Sequence, residues 1–240
     1  MTEPNPTPPR LPPAPAAMSL LWAIGIIYLL TAVLSGGMQP SLQILVFLGA
    51  KVNELIAAGA YWRLLSATFL HGSLIHIFFN AYALYALGPE SERIYGTRRF
   101  LALYFLAGLG GSLASYLLSP AISVGASGSI FGLIGGLGIF YYLNRGVLGN
   151  FGKAQVQNMA TIAIINLFIG FSAPSIIDNW GHLGGLLGGI VAGWALAPRF
   201  QVDPGLYPPL IRRTYLAQGW MWAVALLLVM LVLVGVLPHA

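Results

Sequence analysis

About 20 consecutive apolar residues carry a helix across the hydrocarbon core of a bilayer. Read on that scale, the chain divides into seven apolar runs, at 19–36, 65–87, 99–119, 127–144, 157–172, 180–197 and 219–237. Seven such runs predict an all-α, polytopic membrane bundle. The fifth run is the weakest, being short and carrying Asn158 and Asn166. Ahead of the first run, TEPNPTPPRLPPAPAA is too rich in proline to form a helix. Residues 1–17 are therefore expected as an extended, disordered tail. That tail lacks the basic start of a signal peptide, and the run behind it is too long for a cleaved one, so it is expected to stay as an anchor.

Composition agrees with lipid as the solvent. Hydrophobic residues make up 58% of the chain and charged ones 7%, whereas a soluble domain carries roughly a quarter charged residues. The net charge is +5, but the basic residues form no single face or run, which argues against a nucleic-acid partner. Cysteine is absent, removing disulfides, thiol nucleophiles and thiolate metal sites. The placement of the basic residues says more. Arg93, Arg98 and Arg99 follow the second run, Arg145 and Lys153 the fourth, and Arg199, Arg212 and Arg213 the sixth; the opposite loops hold Lys51 and Arg63. By the positive-inside rule the N-terminus is expected in the cytoplasm and the C-terminus outside.

An ionisable side chain inside a membrane run is costly and marks a candidate site. His76 and Asn80 stand four residues apart in the second run, on one helical face. Ser127 and Ser129 open the fourth run, and His182 lies near the start of the sixth. The starts of these three runs share the outer side, so the groups share a depth. Gly128, Gly132 and Gly136 recur every four residues in the fourth run, as do Gly181, Gly185, Gly189 and Gly193 in the sixth. Small residues at that spacing let membrane helices approach closely. Facing stripes would bring a serine to a histidine base, the requirement for a serine nucleophile. Each feature alone has a plainer explanation: packing glycines, a histidine bonded to a neighbouring helix, a serine cap.

Other chemistries fail on inventory. No HExxH zinc pattern exists, and the aspartates, Asp178 and Asp203, fall outside the runs, so no intramembrane aspartyl dyad can form. A transporter would need a polar track to the cytoplasmic side, and no inverted repeat is visible.

The ordered set YWR (61–63), HGSLIHIFFN (71–80), LGPESER (87–93), GASGSIFG (125–132) and GHLGGLLGG (181–189) resembles the rhomboid family of intramembrane serine proteases. The resemblance implies a six-helix core over 18–198, with 199–240 as a cytoplasmic linker and seventh helix, a 6+1 arrangement. It implies Ser127 as nucleophile, His182 as base, and Asn80 and His76 as oxyanion donors. It further assigns supporting roles to Gly125, Gly128, Gly185 and Gly189, to Trp62 and Arg63 in a loop at the outer leaflet, and to Phe131, which would stack on the imidazole. Glu92 matches a family glutamate at the cytoplasmic end of the second helix, with a solvated loop carboxylate as the alternative. Asp178 is expected as a loop residue, outside the catalytic group. The implied substrates are single-span membrane proteins cut within the bilayer near its outer face, in the plasma membrane of a prokaryote, with no cofactor or metal. A catalytically silent client-binding relative is the other reading, although such proteins typically lack the serine or histidine kept here; a transporter is a less favoured third.

Overall fold

The computed structural model describes residues 12–173, 177–203, 205 and 210–237. Most of the proline-rich tail therefore lies outside the described residues. Its last part does not behave as expected: helix α1 spans Pro15–Leu34. Pro15 stands in the first turn, where its missing N–H has no helical partner to lose and its fixed φ suits a helix.

After α1 come three short helices, α2 (Leu42–Leu48), α3 (Asn53–Ala57) and α4 (Arg63–Ser66), the last running into a 3-10 turn at Ala67–Phe69. The long helix α5 (Leu74–Tyr95) follows at 91° to that pair. The second apolar run is thus broken rather than continuous. Ser73 starts α5 afresh, its Oγ accepting the His76 amide at 3.2 Å. At its far end α5 runs through LGPESER despite Pro89, a tolerated interruption in a membrane helix. It stops at Gly96, whose φ of +77° suits glycine.

Helices α6 (Thr97–Leu118), α7 (Ser127–Leu143), α8 (Arg145–Ser172) and α9 (Asn179–Leu196) complete the main bundle. Helix α8 starts well before the predicted run, with a break at Gly149 (φ +58°). Its Asn166 is satisfied within the helix, donating to the Ile162 carbonyl at 2.8 Å. The linker to the last helix is not featureless. Strands β1 (Pro198–Asp203) and β2 (Leu210–Tyr215) pair antiparallel, Val202 opposite Ile211, with an Arg212–Asp203 ion pair at 3.0 Å. Asn144 fastens β1 to the end of α7, donating to the Pro198 carbonyl at 3.0 Å and accepting the Phe200 amide at 2.6 Å. Helix α10 (Gly219–Val236) packs on α9 and α6, with Trp222 edge-on to Trp194 and Met230 beside Gly110 and Gly188.

Among the described residues, α1, α6, α8 and α10 are long and apolar enough to cross a membrane, and α4–α5 would be a fifth span if the bent pair counts as one. The 6+1 arrangement further requires α7, apolar but 17 residues long, and the glycine-rich α9 to cross. Large apolar side chains such as Phe78, Phe79, Ile164, Phe168 and Leu231 are more than half exposed. Water would penalise such a surface, whereas lipid does not.

Candidate active site

The site is built on three helices that touch through glycine. The stripes of α7 and α9 face each other: Gly185 lies against the Gly128 backbone, Gly189 against Gly132, and Gly193 against Gly136. A Cβ at any of these α9 positions would overlap the α7 backbone. A third glycine face, on α6, escaped the sequence reading. Gly111 abuts Gly128 and the Gly181 carbonyl, and Gly110 meets Gly184. The run GLGGS at 108–112 carried that signal, but without a strict four-residue period it read as ordinary apolar helix.

Ser127 is the first residue of α7 and is half-buried. His182 sits in the first turn of α9, beside the Gly181–Gly128 crossing. Its ring stacks on Phe131, one turn beyond Ser127 on α7, with centroids 4.3 Å apart and planes tilted by 16°. Stacking holds the imidazole over the α7 face that begins at Ser127. His182 Nδ1 is buried and has no partner among the described residues, so no carboxylate holds the ring there. Asp178 instead caps α9, accepting the Gly181 amide at 2.9 Å. Ser129, two residues along and so ~200° around the helix, is fully buried with its Oγ against Gly108 of α6. The two serines face different neighbours.

The segment leading into α7 is held from several sides. The Gly125 amide donates to the Ala67 carbonyl at 2.9 Å, and the Ala126 amide to His71 Nε2 at 3.4 Å. His71 is completely buried and packs edge-on to His76 at 5.0 Å. His71 drew no role from the sequence; in the bent connection between α4 and α5 its Nε2 reaches the backbone just before Ser127. Gly125 has φ +131°. A Cβ there would fall 2.7 Å from His76 Nε2 and 3.8 Å from Ser127 Oγ. Glycine is needed twice over, for its backbone angle and for the imidazole it admits beside the serine. Asn80 is buried one turn along α5 and donates one amide hydrogen to the His76 carbonyl at 3.1 Å; a second hydrogen remains on that nitrogen. A cavity of about 20 Å³, room for about one water, is lined by Lys51, Gly125, Ser127, Gly128 and Asp178.

Residues 58–199 match the family model described as the rhomboid domain. The chain belongs to the rhomboid family. It is 44% identical over 182 residues to "Rhomboid protease GluP" of Bacillus subtilis (strain 168), a match covering 76% of this chain and 35% of that protein. It is 38% identical over 176 residues to "RHOMBOID-like protein 5" of Arabidopsis thaliana, covering 71% and 56%. It is 32% identical over 181 residues to "Rhomboid-like protease 3" of Toxoplasma gondii, covering 72% and 66%. The chain thus spans about a third of the Bacillus protein and about half of the Arabidopsis one. Family membership and the exposed apolar helices together make this rhomboid an integral membrane protein.

The remaining motif residues of this rhomboid, Trp62, Arg63 and Glu92, bond to other parts of the fold. Arg63 is buried and donates to the Val46 and Ala50 carbonyls at 2.7 and 3.0 Å, with its guanidinium 4.8 Å from the Trp62 ring centroid. The Trp62 ring covers Gly49, the left-handed C-cap of α2, and Ser66 Oγ donates to the Gly49 carbonyl at 2.7 Å. Together they fix the loop ahead of Lys51. Glu92 is no solvated loop carboxylate. It is 2% exposed, inside α5, and accepts the Ala16 and Ala17 amides at 3.2 and 2.8 Å and the Thr97 hydroxyl at 2.7 Å. One carboxylate thereby caps α1 and joins it to the α5–α6 turn.

Proposed function

We propose that the chain is an intramembrane serine endopeptidase acting through a Ser127–His182 dyad. One observation carries the proposal: the His182 ring is stacked on the helix that begins at Ser127, across a crossing where glycine faces glycine. His182 takes the Ser127 proton as Oγ attacks a peptide carbonyl. The same imidazole then protonates the leaving amine as the C–N bond breaks, and water hydrolyses the acyl-enzyme by the reverse proton path. Asn80, His76 and the Ser127 N–H hold the oxyanion, each such donor being worth roughly 3–4 kcal/mol. With its Nδ1 buried and without a carboxylate, His182 exchanges protons through Nε2.

The substrates in this proposal are single-span membrane proteins with helix-weakening residues, cut near the outer face. The N-terminus lies in the cytoplasm, the core spans 18–198, and α10 is the added seventh span. The relatives' names that include "protease" support the chemistry. Some rhomboids are inactive, so activity itself is the test. A fluorophosphonate probe applied to the purified protein should label Ser127, as located by peptide mapping. Labelling should vanish in Ser127→Ala and His182→Ala and persist in Ser129→Ala. Labelling that survives Ser127→Ala would overturn the assignment.

A further inference from the structure

Lys51 enters the sequence only as a loop charge, yet it is 1% exposed. A buried ammonium needs acceptors for its three hydrogens. Nζ donates to the Ser119 and Ala121 carbonyls, both at 2.8 Å. The Lys51 backbone pairs both ways with Ser123, at 3.0 and 3.1 Å. One residue therefore grips the segment that leads from α6 into Ser127. Two carboxylates, Asp178 ahead of α9 and Glu54 on α3, favour the charged form of Lys51. Asp178 lines the same small cavity as Lys51 and Ser127, and its carboxylate caps the helix turn that carries His182. Lys51 is itself held in place, because Arg63 fixes the carbonyl of Ala50 just before it.

We propose that Lys51 is a positioning residue for the dyad, setting Ser127 through hydrogen bonds to its lead-in segment and His182 through the charge it presents to Asp178. The role presupposes the serine-protease chemistry proposed above. The two arms differ in what they require. A neutral amine keeps enough N–H groups for the two carbonyls but offers Asp178 no charge. Deprotonation therefore loosens the α9 arm and spares the other.

Burial pushes Lys51 down to about 8, against the opposing pull of Asp178 and Glu54. The charge is thus present below about pH 8 and lost above it. Stability moves the other way. With the folded value below the unfolded one, the unfolded chain binds more protons between the two, so this group's contribution to stability rises with pH across that window. A purely structural lysine would show only that rise. A positioning lysine adds a fall in Ser127 reactivity over the same range.

The test is the second-order rate of fluorophosphonate labelling of Ser127, per folded molecule of the full chain, followed from neutral to alkaline pH. Wild type should lose roughly tenfold in rate above about pH 8, the scale expected for a sub-ångström misplacement. Lys51→Arg, which stays charged, should show no alkaline fall. Asp178→Asn keeps an N-cap acceptor but has no charge to hold; it should be slower at neutral pH and equally flat. Lys51→Met should be slow at every pH, with kcat for a membrane substrate reduced and KM little changed. If Lys51→Met does not fold, the three pH profiles decide. Wild type without an alkaline fall, or the same fall in Lys51→Arg, overturns the positioning role alone. Wild type that never labels overturns the dyad and this role with it.

Discussion

Gly185→Ala is a one-carbon change that should separate α9 from α7. A Cβ built on Gly185 lies 2.7 and 2.8 Å from the Gly128 carbonyl carbon and Cα, where ordinary contact begins at 3.4 Å. The obstacle is backbone, so no rotamer relieves it, and α9 must back away by more than half an ångström. Overpacking of this kind costs about 1–3 kcal/mol. Gly185 is about one turn from His182 on the same helix, so the base moves with the backbone. A 1 Å error at reacting groups can cost ~100-fold; the Ser127 labelling rate per folded molecule should fall by roughly tenfold or more. Gly138→Ala is the control, its Cβ meeting the Met159 Cβ at an ordinary 3.5 Å. Helix propensity alone favours alanine by about 1 kcal/mol there, so its stability should hold or rise. The assay is unfolding in detergent micelles alongside labelling. Gly185→Ala with wild-type stability and labelling would refute the claim that glycine contact sets the dyad.

Phe131→Ala removes a stacking contact worth about 0.5–1.5 kcal/mol and should slow Ser127 labelling by roughly tenfold, while Phe131→Tyr keeps the wild-type rate. Gly125→Ala, forced to a positive φ and against His76, should abolish labelling in protein that still elutes as a folded monodisperse peak from size exclusion. Glu92→Ala strands the two α1 amides and the Thr97 hydroxyl and should destabilise the fold by about 1–3 kcal/mol in the same unfolding assay. Equal stability of Glu92→Ala and wild type would remove the carboxylate from its capping role.

Much of the bundle was legible because lipid imposes a coarse rule. A long apolar run must be a helix, since no water is present to satisfy the backbone. The stripes at 128–136 and 181–193 were legible for a similar reason, strict spacing putting small residues on one face. What escaped lay where local chemistry overrides that rule. Ser73 as an N-cap after Gly72 splits the second run, although its apolar content alone reads as continuous. The second apolar run ends at 87, ahead of Gly88 and Pro89, but Glu92 and Tyr95 are buried and carry α5 past them. Pro15 read as tail because proline forbids a helix interior, whereas the first turn accepts it. The β1–β2 pairing was hidden because RFQVD alternates but its partner LIRRTY groups its apolar and polar residues and shows no strand period. In the site, Ser127, His182 and Phe131 were named from motifs, but His71 and Lys51 were passed over. Their roles depend on a bent connection and a returning loop, and neither has a sequence period.

The most direct measurement reconstitutes the full chain in liposomes with a single-span substrate bearing helix-weakening residues, and follows cleavage by wild type, Ser127→Ala, His182→Ala and Ser129→Ala. A Ser127–His182 dyad predicts one cut within the spanning segment near its outer end, made by wild type and Ser129→Ala and by neither of the other two. Equal cleavage by all four, or loss confined to Ser129→Ala, would contradict it.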